Sequence, residues 1–503
     1  MQTFNDATIA EIEAVMQDAW QAFLVYRKFP LKTRAAFMRA VAGELEALGD
    51  ELVSVAASET HLSPARLRSE KARTIFQLNS YADACEQGDW LEARIDTADS
   101  DRNPPKPDIR KMLVPLGPVV VFGAANFPFA YSTAGGDTAC AFAAGCPVVV
   151  KAHPAHPRTS EGVAAAIRKA ARACEMPAGI FGHVHGISFE VGKALVEHPH
   201  TRAVGFTGSF AGGKQLFDWA NQRKLPIPLF AEMSSTNPVF LLPERMRRSA
   251  PELAQLLASS ISLGVGQFCT NPGLIIALDN KDTKKFMSLL NEEIRKAVPG
   301  DMLHMGIFKN YVEKRANAIA QEQVEMVAVS EAEPQLNQAA STIARTSGDA
   351  FIRNPVLHQE VFGPFSMLVL CRDISQMEAV ARSLEGQLTA TMMATRNDMR
   401  NNEPLADAIR DRCGRFILNG VPTGVEVCRS MQHGGPFPAT TDSRFTSVGA
   451  DGIKRFARPL AFQNWSNELL PDELKNENPL GIWRMVNNEW KKGRLRTKRI
   501  SLR

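Results

Sequence analysis

The chain has 503 residues, 45% of them hydrophobic and 22% charged, the balance of a globular protein too long for one ordinary core. Its longest apolar run, Thr138 to Val150, falls short of the roughly 18–20 residues a membrane span needs. The start MQTFNDATIAEIE carries acids where a secretory leader carries bases, so a cytoplasmic protein is expected. The net charge of +4 belongs to the end: residues 491–503 (KKGRLRTKRISLR) hold seven bases and no acid, and without them it becomes −3. That run reads as a solvated tail, and no nucleic-acid partner is expected.

Apolar positions recurring at three and four from Phe37 to Val55 predict one amphipathic helix over RAAFMRAVAGELEALGDELVSVAASE. The proline- and charge-rich DSDRNPPKPD (99–108) then marks a connection or exposed hairpin. Beyond it, short apolar runs alternate with helical stretches. PVVVFGA (118–124), CPVVVKA (146–152), IFGHVHG (180–186) and AVGFTG (203–208) have the length and β-branched richness of buried parallel strands, with a helix at about 160–174. This predicts an α/β fold with a doubly wound sheet, and a ligand at the carboxyl ends of its strands, where Asn126, Lys151 and the Gly208 turn fall. A second α/β region from about Met233 has strand-like runs at 239–242, 274–278 and 366–370.

TGSFAGGKQL (207–216) is close to two nucleotide-binding signatures. From Gly208 it spells a phosphate-binding P-loop, except that Gln215 stands where Ser or Thr would ligate magnesium; it can equally cradle a dinucleotide diphosphate at a helix N-terminus. Eight cysteines without a C-x-x-C pair give no zinc or disulfide framework, and no metal is expected. Cys269, in GVGQFCTNPG (264–273), follows a helical segment and precedes a Pro-Gly turn that can expose a thiol. Alone it reads as a small buried hydrophobe, as Glu232 in FAEMSSTNPVF (230–240) alone reads as a strand-end carboxylate.

Together these segments resemble the aldehyde dehydrogenase superfamily. Its order is Asn in N-F-P, Lys ending a V-V-K strand, F-T-G-S, a strand-end Glu, a G-Q-x-C nucleophile and E-x-F-G-P. Here these are Asn126, Lys151, Phe206 to Ser209, Glu232, Cys269 and Glu360 to Pro364. GGDTACAFAAGCPVVVKAHPAHP, AEMSSTNPVFLLP, GVGQFCTNPGL and HGGPFPATTDSRFTSVG are most similar to the 2,5-dioxopentanoate (α-ketoglutaric semialdehyde) dehydrogenases, and the resemblance runs to about Trp483.

The resemblance implies a dinucleotide-binding domain (1–98 and 117–232) and a catalytic domain (233–456). It adds a bridging and oligomerisation element (99–116 and 457–466), a C-terminal extension (467–503), and a homodimer or homotetramer. It implies Cys269 as nucleophile, Asn126 as oxyanion donor and Glu232 as the base of thioester hydrolysis, acting on a small aldehyde. Lys151, His153, Pro154, Arg158, Gly208, Ser209, Glu360 and Phe362 would hold the cofactor. Pro154 stands where many NAD-preferring relatives carry a ribose-binding Glu, and no acid follows Lys151 until Glu161, so NADP is expected to serve at least as well as NAD. Ser234 replaces a glycine, at a cost of about 1 kcal/mol if that backbone needs positive φ. The alternatives are a catalytically impaired dinucleotide-binding relative and a P-loop phosphotransferase.

Overall fold

The computed structural model describes residues 4–495. Five parallel strands form the first sheet, in the order Phe181–Val184, Val148–Lys151, Val119–Phe122, Ala203–Thr207 and Leu229–Glu232. Successive side chains of a strand face opposite ways, and here both faces are dry. Val119, Val121, Val148 and Val150 join one core with the helices Leu31–Ala47, Gly136–Ala144 and Pro157–Ala173. Val120, Val149 and Val204 join another, with Ile12, Met16, Leu195 and Leu216 from the helices on the far side. Each such side chain contributes on the order of 1.5–3 kcal/mol of burial, which is why these strands read as unbroken apolar runs.

The single helix predicted over the first amphipathic stretch is two, Leu31–Ala47 and Gly49–Thr60. Gly49 breaks the path with φ +56, a conformation its missing side chain permits, while the apolar spacing continues across the break. Periodicity therefore reported the buried face and not the bend.

The second sheet has seven strands, ordered Glu325–Val329, Thr342–Ser347, Phe365–Cys371, Leu274–Leu278, Val239–Leu241, Gln387–Met393 and Cys413–Leu418. All pair in parallel except the first. The three runs predicted in this region are all strands. Thr342–Ser347 and Gln387–Met393 escaped the reading because Thr, Arg, Ser and Gln interrupt their apolar character.

A third, outlying sheet departs from the expected boundaries. Its order is Ala457–Gln463, Ile109–Pro115, Arg94–Asp96, Arg484–Val486 and Glu489–Lys491. It therefore begins before residue 99 and takes two strands from what was read as a C-terminal extension. Asp99 and Lys106 pair across the tip of the expected hairpin. Most of the basic tail, residues 496–503, lies outside the described residues.

Candidate active site

Parallel strands end at one edge, so the first sheet delivers Lys151, Thr207 and Glu232 to a common rim, with Asn126 four residues beyond Phe122. The nucleophile candidate comes from the second domain. After the helix Pro243–Ser262 the chain turns through Gly264, Val265 and Gly266, all with left-handed φ of 54°, 60° and 61°. For Val265 that costs on the order of 1–3 kcal/mol, which the surrounding contacts must outweigh. Gly266 is obligatory, because a Cβ there would lie 2.3 Å from the Gly363 carbonyl oxygen. The E-x-F-G-P segment thus packs directly against the G-Q-x-C turn.

Polar side chains hold that turn from below. Asn237, fully buried, donates through Nδ2 to the carbonyls of Cys269 at 2.8 Å and Asn271 at 2.9 Å. Gln267 accepts from Leu303 N at 2.9 Å and donates to the carbonyl of Gly264. Asn126 donates from Nδ2 to the Gln267 carbonyl at 3.1 Å, while Arg66 donates to the Asn126 carbonyl at 2.8 Å. The Arg66 guanidinium lies over both the Phe127 and Phe268 rings.

Glu232 is 3% exposed, and its carboxylate lies within 4.8 Å of the thiol sulfur. His433, with a fully buried side chain, touches both: Nε2 is 3.1 Å from Glu232 Oε1 and 3.6 Å from Cys269 Sγ. Ser447 Oγ donates to the other carboxylate oxygen at 2.7 Å. The segment carrying His433 is docked on the Glu232 strand, since Met233 N donates to Ala439 O and Thr441 N to Ala231 O. The glycines after it allow close backbone approach, because a Cβ on Gly435 would meet the Gln387 carbonyl oxygen at 2.1 Å.

Burial works to raise the Glu232 carboxyl, but the His433 ring and the Ser447 hydroxyl outweigh it and hold the group below its ordinary range. Burial and the neighbouring Glu232 carboxylate push the Cys269 thiol well above its ordinary range. The resting thiol is therefore protonated, and attack requires a base.

The remaining expected residues divide. Gly208 and Ser209 form the entry to the helix Phe210–Gln222, with Ser209 Oγ accepting from Gly212 N at 3.3 Å and Gly208 N donating to the Glu232 carbonyl. Lys214 is paired with Asp218 at 2.7 Å, which removes the lysine a P-loop would aim at phosphate. Glu360 and Phe362 line a cavity with Phe268 and Gly266, and burial pushes the Glu360 carboxyl up to about 7 against the Ser234 hydroxyl. Ser234 has no positive φ, so the anticipated strain is absent.

Two expected cations are not free charges. Arg158 is bound to Glu59 and Ser58. His153 stacks on His156 at 5.2 Å, and burial lowers its pKa well below the ordinary value, so the ring is neutral. Lys151 keeps a cationic role, with burial lowering its pKa to about 8 against the pull of Asp6. Pro154 is exposed in the turn beyond it. Glu161 is engaged by His183 and His185, which push its carboxyl down to about 2. The acid near Lys151 is instead Asp6, whose carboxylate accepts from the backbone of Ile187 at 2.6 Å and Ser188 at 3.1 Å. No composition rule links residue 6 to residue 151.

A half-buried thiol, a buried carboxylate and an amide donor gather beside the rim of a dinucleotide-type sheet, a set of groups that can oxidise a carbonyl compound through a covalent adduct. Residues 1–436 match the aldehyde dehydrogenase family, and the chain belongs to that family. It is an NAD(P)-dependent aldehyde dehydrogenase. It is 46% identical over 483 residues to alpha-ketoglutaric semialdehyde dehydrogenase 2 of Azospirillum brasilense, covering 96% of this chain and 92% of that one. It is 45% identical over 493 residues to alpha-ketoglutaric semialdehyde dehydrogenase of Acinetobacter baylyi, with the same coverage of each. Among solved structures it is similar to succinic semialdehyde dehydrogenase from Streptococcus pyogenes in complex with NADP+, with a TM-score of 0.76, 19% identity, and 92% and 96% of the two chains covered. That likeness establishes the fold.

Proposed function

We propose that the chain oxidises 2,5-dioxopentanoate to 2-oxoglutarate, with Cys269 as nucleophile, Asn126 as oxyanion donor and Glu232 as the base for hydrolysis. The relatives at 45–46% identity carry the substrate reading. Two guanidiniums beside the thiol support it. Among the described residues Arg66 NH1 and Arg73 Nε are buried without a hydrogen-bond partner, Arg66 between the Phe127 and Phe268 rings, Arg73 against Tyr131. A substrate carboxylate satisfies such donors, and a plain alkyl aldehyde leaves them unpaired at a cost of about 1–3 kcal/mol each.

Cys269 adds to the aldehyde carbon, and the oxyanion so formed is met by the Asn126 amide once that amide leaves the Gln267 carbonyl. The nicotinamide supplies hydride acceptance when bound. The rim fits a dinucleotide: the Gly208 turn offers the N-terminal N–H groups of the helix Phe210–Gln222, and Lys151 offers charge. Water attacks the resulting thioester, and Glu232 takes its proton.

The test is a panel of aldehydes from propanal to 2,5-dioxopentanoate. The dioxo acid should lead by kcat/KM, and Arg66→Met should cost it more than it costs propanal; equal rates across the panel would overturn the substrate assignment. Cys269→Ala should abolish turnover but keep dinucleotide binding. Glu232→Gln should give a first burst of reduced cofactor and then stall, and loss of burst and turnover together would deny Glu232 its hydrolytic role.

The same reading takes the protein as cytoplasmic and homo-oligomeric. Among the described residues the outlying sheet ends in two open edges, Ala457–Gln463 and Glu489–Lys491, with Trp465, Trp483 and Trp490 exposed around it. Light scattering on the purified protein should give a dimer or tetramer, and a monomer would refute it.

A further inference from the structure

The roles above leave the fully buried side chain of His433 without a task beside the thiol. His433 Nε2 lies within reach of both the sulfur and the Glu232 carboxylate, while Nδ1 is buried without a hydrogen-bond partner. The backbone around it is fixed: His433 N donates to Thr446 Oγ1 at 2.9 Å, and its carbonyl accepts from Ser447 N at 2.8 Å and Ser447 Oγ at 3.1 Å. The His433 backbone is thus held by the same serine that holds Glu232. A ring placed only to fill space would not need this aim.

We propose that His433 is the base that takes the proton of the Cys269 thiol, so that Glu232 is reserved for the water step. This rests on the covalent dehydrogenase reading above. When the ring proton sits on Nδ1, Nε2 gives up its hydrogen bond to Glu232 and presents its lone pair to Sγ. As the aldehyde carbon is attacked, the S–H bond breaks, an Nε2–H bond forms, and the sulfur lone pair makes the C–S bond. The imidazolium then donates Nε2–H to Glu232 Oε1, and that ion pair keeps the carboxylate ionised beside the adduct. The proton returns to solvent before the next turnover, and no oxidant is consumed in this step.

The arrangement differs from a linear triad. Nucleophile and carboxylate meet the same ring nitrogen, so His433 can serve only one of them at a time. The ionisable groups facing it are Cys269, Glu232 and the Tyr131 ring, 6.4 Å away between centroids. The charges of Arg73 and Arg415 act on the thiol from further off.

The experiment is the pH dependence of Cys269 alkylation by iodoacetamide, which needs neither aldehyde nor cofactor and so stands even if the substrate assignment fails. Wild type should react with a rise well below the ordinary thiol range of about 8.5. His433→Gln should react at least tenfold more slowly at pH 7, and should climb with one proton's slope until it meets wild type at high pH. The aldehyde-driven burst should slow by roughly 10²-fold or more, the usual share of a general base, with dinucleotide affinity unchanged. Superimposed alkylation profiles would overturn the proposal. If His433→Gln fails to fold, the wild-type profile alone decides: a single rise above the ordinary thiol range of about 8.5 would overturn it equally.

Discussion

The Asn126 side-chain amide donates to the Gln267 carbonyl, two residues before Cys269, at 3.1 Å. In the resting site the oxyanion donor is therefore parked on the nucleophile's own loop. Asn126→Ala should lower kcat by roughly 10²–10³-fold, the loss of one oxyanion donor, with a smaller change in KM. Comparing activity with the fraction folded checks this: a fall only in proportion to unfolded protein would make Asn126 a structural residue.

Cofactor choice should depend on pH through Lys151. Its ammonium persists below about pH 8 and is lost above it. The KM for NADP should therefore rise as pH climbs past 8, while that for NAD stays flat, and Lys151→Met should flatten both. NADP should serve at least as well as NAD by kcat/KM. Pro154→Glu should swing preference toward NAD, because a like charge beside a 2′-phosphate is repulsive, and Asp6→Asn should swing it the other way. A tenfold preference for NAD in the unmodified enzyme would refute this.

Burial pushes the Glu70 carboxyl up to about 7, against the two backbone N–H groups of Phe129 and Ala130 that donate to Oε1. A carboxyl whose folded pKa exceeds its unfolded one contributes stability that is complete below about 4.5 and fades as pH rises through 7. The contribution is on the order of 3 kcal/mol. Glu70→Gln should gain thermal stability relative to wild type between pH 5 and pH 8. Parallel melting curves across that window would contradict the assignment.

Asn237 carries a left-handed φ of 46° and bridges the carbonyls of Cys269 and Asn271. Asn237→Ala loses both the donors and a residue type suited to that backbone. It should destabilise the fold by about 2–4 kcal/mol in denaturant titration, and activity should fall even where the protein is folded. A loss under about 0.5 kcal/mol, typical of a surface change, would show that the loop holds itself.

Legibility followed the range of the interactions. The strands Leu274–Leu278 and Val148–Lys151 were readable because both faces are buried and the run is apolar throughout. Cys269, Glu232 and Asn126 were readable as motifs, and the structure brings them to one place. His433 stood in the quoted HGGPFPATT segment but was assigned no role. Only the pairing of that segment with the Glu232 strand, some two hundred residues earlier, puts the ring beside the sulfur. Asp6 was hidden in the same way. Arg158 and His153 failed as cations because sequence shows a charge's identity but not its partner, here Glu59, nor its burial.

The outlying sheet joins distant parts of the chain: Arg94–Asp96 pairs in parallel with Arg484–Val486, and Thr97 N bonds Asn487 across 390 residues of sequence. The strand Arg94–Asp96 therefore waits for one made 390 residues later. During synthesis the emerging polypeptide can bury its valine-rich sheet early, yet Ile95 keeps one hydrogen-bonding edge open until Val486 has left the ribosome. A chain cut short near residue 465 would carry every catalytic side chain and still expose that edge. Such a product should aggregate more readily than one that carries Arg484–Val486.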